Sequence, residues 1–301
     1  MSSSSPKTLI DLVGLLGPNA SLQFNDILIG TKGADSLVGS NGNDFIFGRA
    51  GNDTLEGLDG ADIINGGAGN DSITGGSTAN DLGDVINAGW GHDSVDAGAG
   101  NDTVVGGIGR DSIFGSAGSD LLKGGLGRDT VMGGSSQDTI TGGGAADFLT
   151  GDSGNDRVSG GHGGDSLQGD SGNDVVIGNL GEDSLSGGSD DDRLFGGANN
   201  DLLLGNSGSD SLYGGAGSDS FVFQASDVQN GDVDIILDFN ENLDDVSVEL
   251  MNSSGITVDT IVQSGSDVDV NYSNGYQLTF NQQTVSVIQQ LADEGDLGPL
   301  A

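Results

Sequence analysis

An aspartate returns every nine residues along most of this 301-residue chain. It stands at Asp26, Asp35, Asp44, Asp53, Asp62 and Asp71, slips by four residues around 77–81, and resumes at Asp84. Asp93, Asp102, Asp111, Asp120, Asp129, Asp138, Asp147, Asp156, Asp165, Asp174, Asp183, Asp192, Asp201, Asp210 and Asp219 follow without a further slip. Two positions after each of these 22 aspartates is an apolar residue, from Leu28 and Leu37 to Leu212 and Phe221. Glycine stands five positions before the aspartate in 18 units and two before it in 16. The unit is therefore G-G-x-G-x-D-x-U-x, with U a large apolar side chain, and a fixed period of this kind marks a repeat architecture.

Each unit reads as a glycine turn followed by a strand of three residues. Strand side chains alternate between faces, so U points one way and its neighbours the other. So short a strand cannot bury U by itself and must stack on the next copy. Two units, eighteen residues, close a flattened coil whose two strands face each other with the U side chains inside. The expected fold class is all-β, a parallel solenoid of 11 coils that at ~4.8 Å per coil is roughly 50 Å long. Three regions follow: 1–20 as an N-terminal cap or flexible segment, with TLIDLVGLL over the first coil; 21–223 as the solenoid; and 224–301 as a small β-rich cap. In the last region glycine thins out, VDIILDFN, SVELM, GITVDTIV, DVDVNYS and YQLTFN read as strands, and QQTVSVIQQLADEGDL reads as ending in a short helix.

Charge narrows the partners. There are 46 acidic and 8 basic residues, a net charge of -38. Eight cations supply no footprint for nucleic acid, and an anionic membrane repels such a chain. Of the acids 41 are Asp and 5 are Glu, a bias that solubility does not require but a short carboxylate held near the backbone does. Without cysteine there is no disulfide or thiolate metal site. No stretch approaches the ~20 apolar residues of a membrane span, and MSSSSPKTLIDLVGLLGPNA lacks the pattern of a secretory signal.

The nonapeptide resembles that of the RTX (repeats-in-toxin, haemolysin-type) family. The resemblance implies a right-handed parallel β-roll with two nonapeptides per coil that binds Ca2+. Residues 217–248 resemble the segment that follows such arrays in type I-secreted proteins and are similar to the end of the serralysin C-terminal domain. The resemblance implies a protein exported unfolded by type I secretion machinery and located outside the cell or at its surface.

The residues support calcium on their own terms. Calcium is a hard cation that takes 6–8 oxygens. Stacked turns bring an aspartate of one coil near its counterpart eighteen residues on, and glycines let backbone carbonyls turn to the same point. One row runs Asp26, Asp44, Asp62, Asp84 and on to Asp210; the other runs Asp35, Asp53, Asp71, Asp93 and on to Asp219. Ten gaps per row give up to about 20 ions, close to neutralising the net charge of -38. One apolar side chain in nine offsets little of the entropy of ordering the chain, so the calcium-free chain is expected to be largely disordered. The weakest sites are expected where Ser136, Ala145, Asp190 and Asn199 replace the glycine before the aspartate, and at Asp84, where Leu82 does so.

Other residues read more plainly. His92 and His162 fall at exposed turn positions, Arg110 and Arg128 stack beside an aspartate row as charge balance, and Trp90 is a surface aromatic. Ile27, Phe45, Ile63, Val85, Leu121 and Val175, with Phe47, Ile177, Phe195 and Tyr213, put an apolar face on one side, a candidate contact surface. The turns carry no rank of threonines of the kind that binds ice. No H-E-x-x-H or G-x-S-x-G occurs. The leading expectation is a non-catalytic structural or adhesive protein with a polysaccharide or cell-surface partner. The alternatives are polysaccharide chemistry using Arg157 or Arg193 beside a carboxylate, and a small membrane-active effector.

Overall fold

The structure is a computed structural model that describes residues 24–224, 232–240, 243–249, 258–264, 267–272 and 277–281. The N-terminal cap and the C-terminal helix expected from the sequence lie outside these residues. Among the described residues there is no helix, and the chain forms two long sheets. The first contains the strands that follow the Asp26 row, from Ile27–Ile29 to Ser211–Ala216; the second contains those that follow the Asp35 row, from Ser36–Val38 to Ser220–Gln224. Every strand of the repeats pairs in parallel with the one a full coil away, as Thr103 with Leu121 and Ser112 with Thr130.

Most repeat strands span six residues rather than the expected three. In Ser112–Ala117, Ser112, Ile113 and Phe114 pair with the next coil, Gly115 does not, and Ser116 and Ala117 pair again. The ladder thus runs on through the glycine pair after a bend. The bend explains why that pair is glycine-rich. A Cβ on Gly151 would stand 2.5 Å from Asp156 Oδ2 and 2.8 Å from the Gly169 carbonyl. The next residue, Asp152, has φ 68°, a conformation that costs most residues energy and Asp or Asn less.

The apolar residue of each repeat forms a single core. Leu122, Val131, Ile140, Leu149, Val158 and their counterparts from Ile46 to Phe221 are all buried. The four inserted residues do not disturb the stack, because Ile63 pairs with Val85 and Ser72 with Ser94 across a spacing of 22. The stack also continues past residue 223. Leu212 pairs with Ile236 and Phe221 with Val246, so two further strands join the sheets. The first sheet is then extended by Gln277–Phe280, Asp267–Tyr272 and Val258–Ser264, the last two antiparallel to their neighbours. Phe239 packs edge-on against Phe221 and Phe280 at 6.4 and 5.3 Å and closes this end of the core.

Leu149 is fully buried and Leu126 is 62% exposed. In guanidinium unfolding at fixed calcium, Leu149→Ala is expected to lower stability by about 2–5 kcal/mol, and Leu126→Ala by no more than about 0.5 kcal/mol.

Candidate metal centres

Each repeat aspartate sits where its turn enters a strand, and its carboxylate is divided between two environments. One oxygen is tied to the backbone. Asp26 N–H donates to Asp44 Oδ1 at 2.7 Å, Asp138 N–H to Asp156 Oδ1 at 2.7 Å, and Asp183 N–H to Asp201 Oδ1 at 2.9 Å. The same bond recurs along both rows, always from one coil to the carboxylate of the next. The aspartates predicted to share a site are thereby brought together: Asp156 and Asp174 in one row, with Asp165 in the other.

The second oxygen is left over. From Asp53 to Asp201, Oδ2 of every in-register aspartate is buried without a hydrogen-bond partner. A buried polar atom in that state costs free energy, and here it recurs with the repeat. Beside most of these oxygens, though not at Asp93, Asp102 or Asp165, a glycine brings a backbone carbonyl close as well. The point a Cβ on Gly106 would occupy is 2.7 Å from Asp111 Oδ2 and 2.6 Å from the Gly124 carbonyl. Carboxylate and carbonyl thus converge beside a glycine that keeps the space open. Among the described residues no three His, Cys, Asp or Glu side chains converge as a metal cluster, so backbone carbonyls must complete any shell. An all-oxygen set suits a hard divalent cation and not zinc.

The rows differ at their ends. Asp26 is exposed and Asp35 half-buried. Asp35 Oδ2 accepts from Thr31 N–H at 2.6 Å, and Asp44 Oδ2 from Ser40 N–H at 2.6 Å. At the other end the rows run on: Asp210 N–H donates to Asp234 Oδ1 at 2.8 Å and Asp219 N–H to Asp244 Oδ1 at 3.1 Å. Counting by nine misses Asp234 and Asp244, which lie 24 and 25 residues on. The D-x-U triplets at 234–236 and 244–246 carry the signal instead.

Ser136, Ala145, Asp190 and Asn199 do adopt positive φ, between 76° and 83°. The bonds at Asp138 and Asp147 are nonetheless regular, at 2.7 and 2.8 Å, so the strain stays in the backbone. Leu82 escapes it, because the insertion gives that turn another path and φ is not positive there. A second ladder, not expected from the sequence, runs beside the first. Asn52 Oδ1 accepts from Asn70 N–H, Asn70 Oδ1 from His92 N–H, and His92 Nδ1 from Arg110 N–H at 2.8 Å. His92 thus replaces an asparagine in a structural ladder.

The apolar face is in register but unevenly covered. Ile27, Phe45 and Ile63 stack, with Ile27 64% and Ile63 8% exposed. Arg157 and the turns of Asp102, Asp120 and Asp138 line a shallow groove of about 540 Å³. Among the described residues no helix is long and apolar enough to cross a membrane.

Burial, opposed by the single backbone hydrogen bond and reinforced by neighbouring aspartates, pushes these carboxyls up. Asp84 and Asp192 rise to about 8, and Asp138 and Asp174 to about 7. A group raised in the folded state costs nothing below about pH 4, where both states hold the proton, and destabilises the fold as pH climbs towards the folded value. Without calcium, acidification from about pH 8 to about pH 4 is therefore expected to increase β-structure by circular dichroism. With calcium the sign reverses, and the midpoint calcium concentration rises as pH falls, because ions and protons compete for the same oxygens.

No curated protein matches the chain. The family described as "RTX calcium-binding nonapeptide repeat (4 copies)" matches in overlapping segments that together run from residue 22 to residue 221. The match does not reach the C-terminal strands, so the serralysin-like resemblance of 217–248 gains no support there. Repeat, register and paired aspartates agree over two thirds of the sequence, and the chain belongs to the RTX calcium-binding nonapeptide repeat family.

Proposed function

We propose that this calcium-binding repeat protein is non-catalytic, is secreted unfolded, and folds into a rigid acidic rod when it meets extracellular calcium. The observation that carries the reading is the rank of buried aspartate oxygens without partners, from Asp53 to Asp201. The ligands are the 22 aspartates from Asp26 to Asp219, taken in pairs eighteen or 22 residues apart, with Asp234 and Asp244 extending the two rows. The glycine carbonyls converging beside them supply the remaining protein oxygens. Bound calcium supplies positive charge between carboxylates that otherwise repel.

The chain's own residues then act mechanically. Each Asp N–H fixes the carboxylate of the next coil, and each U side chain seals the core. Low cytosolic calcium leaves the chain open for type I secretion machinery, and high external calcium closes it. A structural or adhesive role at the cell surface or in the matrix follows from a stiff rod with an exposed apolar rank, including Ile27 and Leu121 at 64% and 50% exposure. A polysaccharide or another cell-surface molecule is the partner this face suits.

Circular dichroism near neutral pH is expected to give a largely disordered spectrum in chelator and a β spectrum at about millimolar calcium. An unchanged β spectrum in chelator contradicts the proposal.

A further inference from the structure

The four-residue insertion does more than lengthen a turn. It falls between Gly76 and Asp81, so Asp81 takes the position three before the row aspartate Asp84. In the other turns that position holds an outward residue, and the exposed Trp90, Ile108 and Leu126 all stand there, Trp90 at 67%. Among the 22 units only Asp59 and Asp81 are acidic at this position, and they fall in adjacent coils of one row. Asp81 is turned inward and is 7% exposed. Its Oδ1 accepts from Gly60 N–H at 3.2 Å and Leu82 N–H at 3.0 Å. Its Oδ2 is buried without a partner.

The space around that oxygen is defined. A Cβ on Gly76 would collide with both Asp81 Oδ2 and the Leu58 carbonyl, so the two oxygens close on one point. Asp62 and Asp84, whose Oδ2 atoms are also buried without partners, belong to the same pair of turns. Thr78 Oγ1 donates to Asp59 Oδ1 across the insertion and ties Asp59 to the same loop. Asp59 and the inward Asp81 thus stand in the same two turns as the row pair Asp62 and Asp84.

The geometry points to an additional divalent-cation site at the insertion, with Asp81 Oδ2 and the Leu58 carbonyl as ligands and Asp59, Asp62 and Asp84 around it. The site rests on the reading of the repeats as calcium-binding but lies outside the nonapeptide pattern. With a buried carboxylate beyond the row pair, it holds highly charged ions more tightly than a regular gap and pins the longest turn of the nonapeptide array.

Terbium, a trivalent stand-in for calcium whose emission is sensitised by a nearby indole, tests this in the folded, calcium-saturated full-length chain. The background is Trp90→Phe. One reporter is Leu82→Trp, beside the proposed site, at a position 55% exposed. The other is Gln137→Trp, one position before Asp138 in a regular turn of the same row. At one equivalent of terbium the Leu82→Trp chain is expected to emit about fivefold or more above the Gln137→Trp chain, and Asp81→Asn to abolish the excess. Equal emission from the two reporters, or an excess that survives Asp81→Asn while calcium still folds the chain, overturns the inference. A chain that gains no β spectrum with calcium instead overturns the reading on which the site rests, and the site with it.

Discussion

The fold depends on one recurring arrangement: a carboxylate that spends one oxygen on the backbone of the preceding coil and keeps the other in reserve. The N–H to Oδ1 bond sets the eighteen-residue register, since it can form only when turns are stacked one directly on the next. The same bond carries the carboxylate under the following turn, where water cannot solvate Oδ2. Burial of so many like charges is unfavourable without a cation. Register and metal demand are therefore two consequences of one interaction.

Glycine serves that arrangement in separable ways. Before the bend, as at Gly151, the issue is space, because a methyl group there meets the oxygens of Asp156 and Gly169. Past the bend and just before the aspartate the issue is φ, and Asp, Asn, Ser and even Ala or Leu stand in at some cost, as Asp152, Asn179 and Leu58 do. Substitution is thus tolerated where only the backbone suffers and scarce where the metal's space is at stake. Ala88 and Ala97, both buried, are exceptions to the second rule and adjoin the coils around the insertion.

Much of this was legible in the sequence. The nine-residue count gave the two rows, the alternation of U gave the core, and the bias of Asp over Glu gave the metal. What escaped has a common cause: it depends on contacts between coils, which a single repeat does not display. The six-residue strands need the neighbouring coil's glycine pair, the asparagine ladder that absorbs His92 needs the turn above, and Asp234 and Asp244 join only because longer turns return them to register. Asp81 was hidden by the insertion, which looked like a defect in the period and turns an aspartate outside the two rows inward. The contact surface was read from residue type, which does not distinguish the buried Ile63 from the exposed Ile27.

The central claim is that paired aspartates of successive coils share calcium. The most direct measurement is anomalous diffraction from crystals grown in calcium. Peaks between Asp156 and Asp174, between Asp165 and Asp183, and at the equivalent pairs along both rows are the predicted result. A folded roll with no peaks in these gaps, or with ions only on its outer surface, would contradict it.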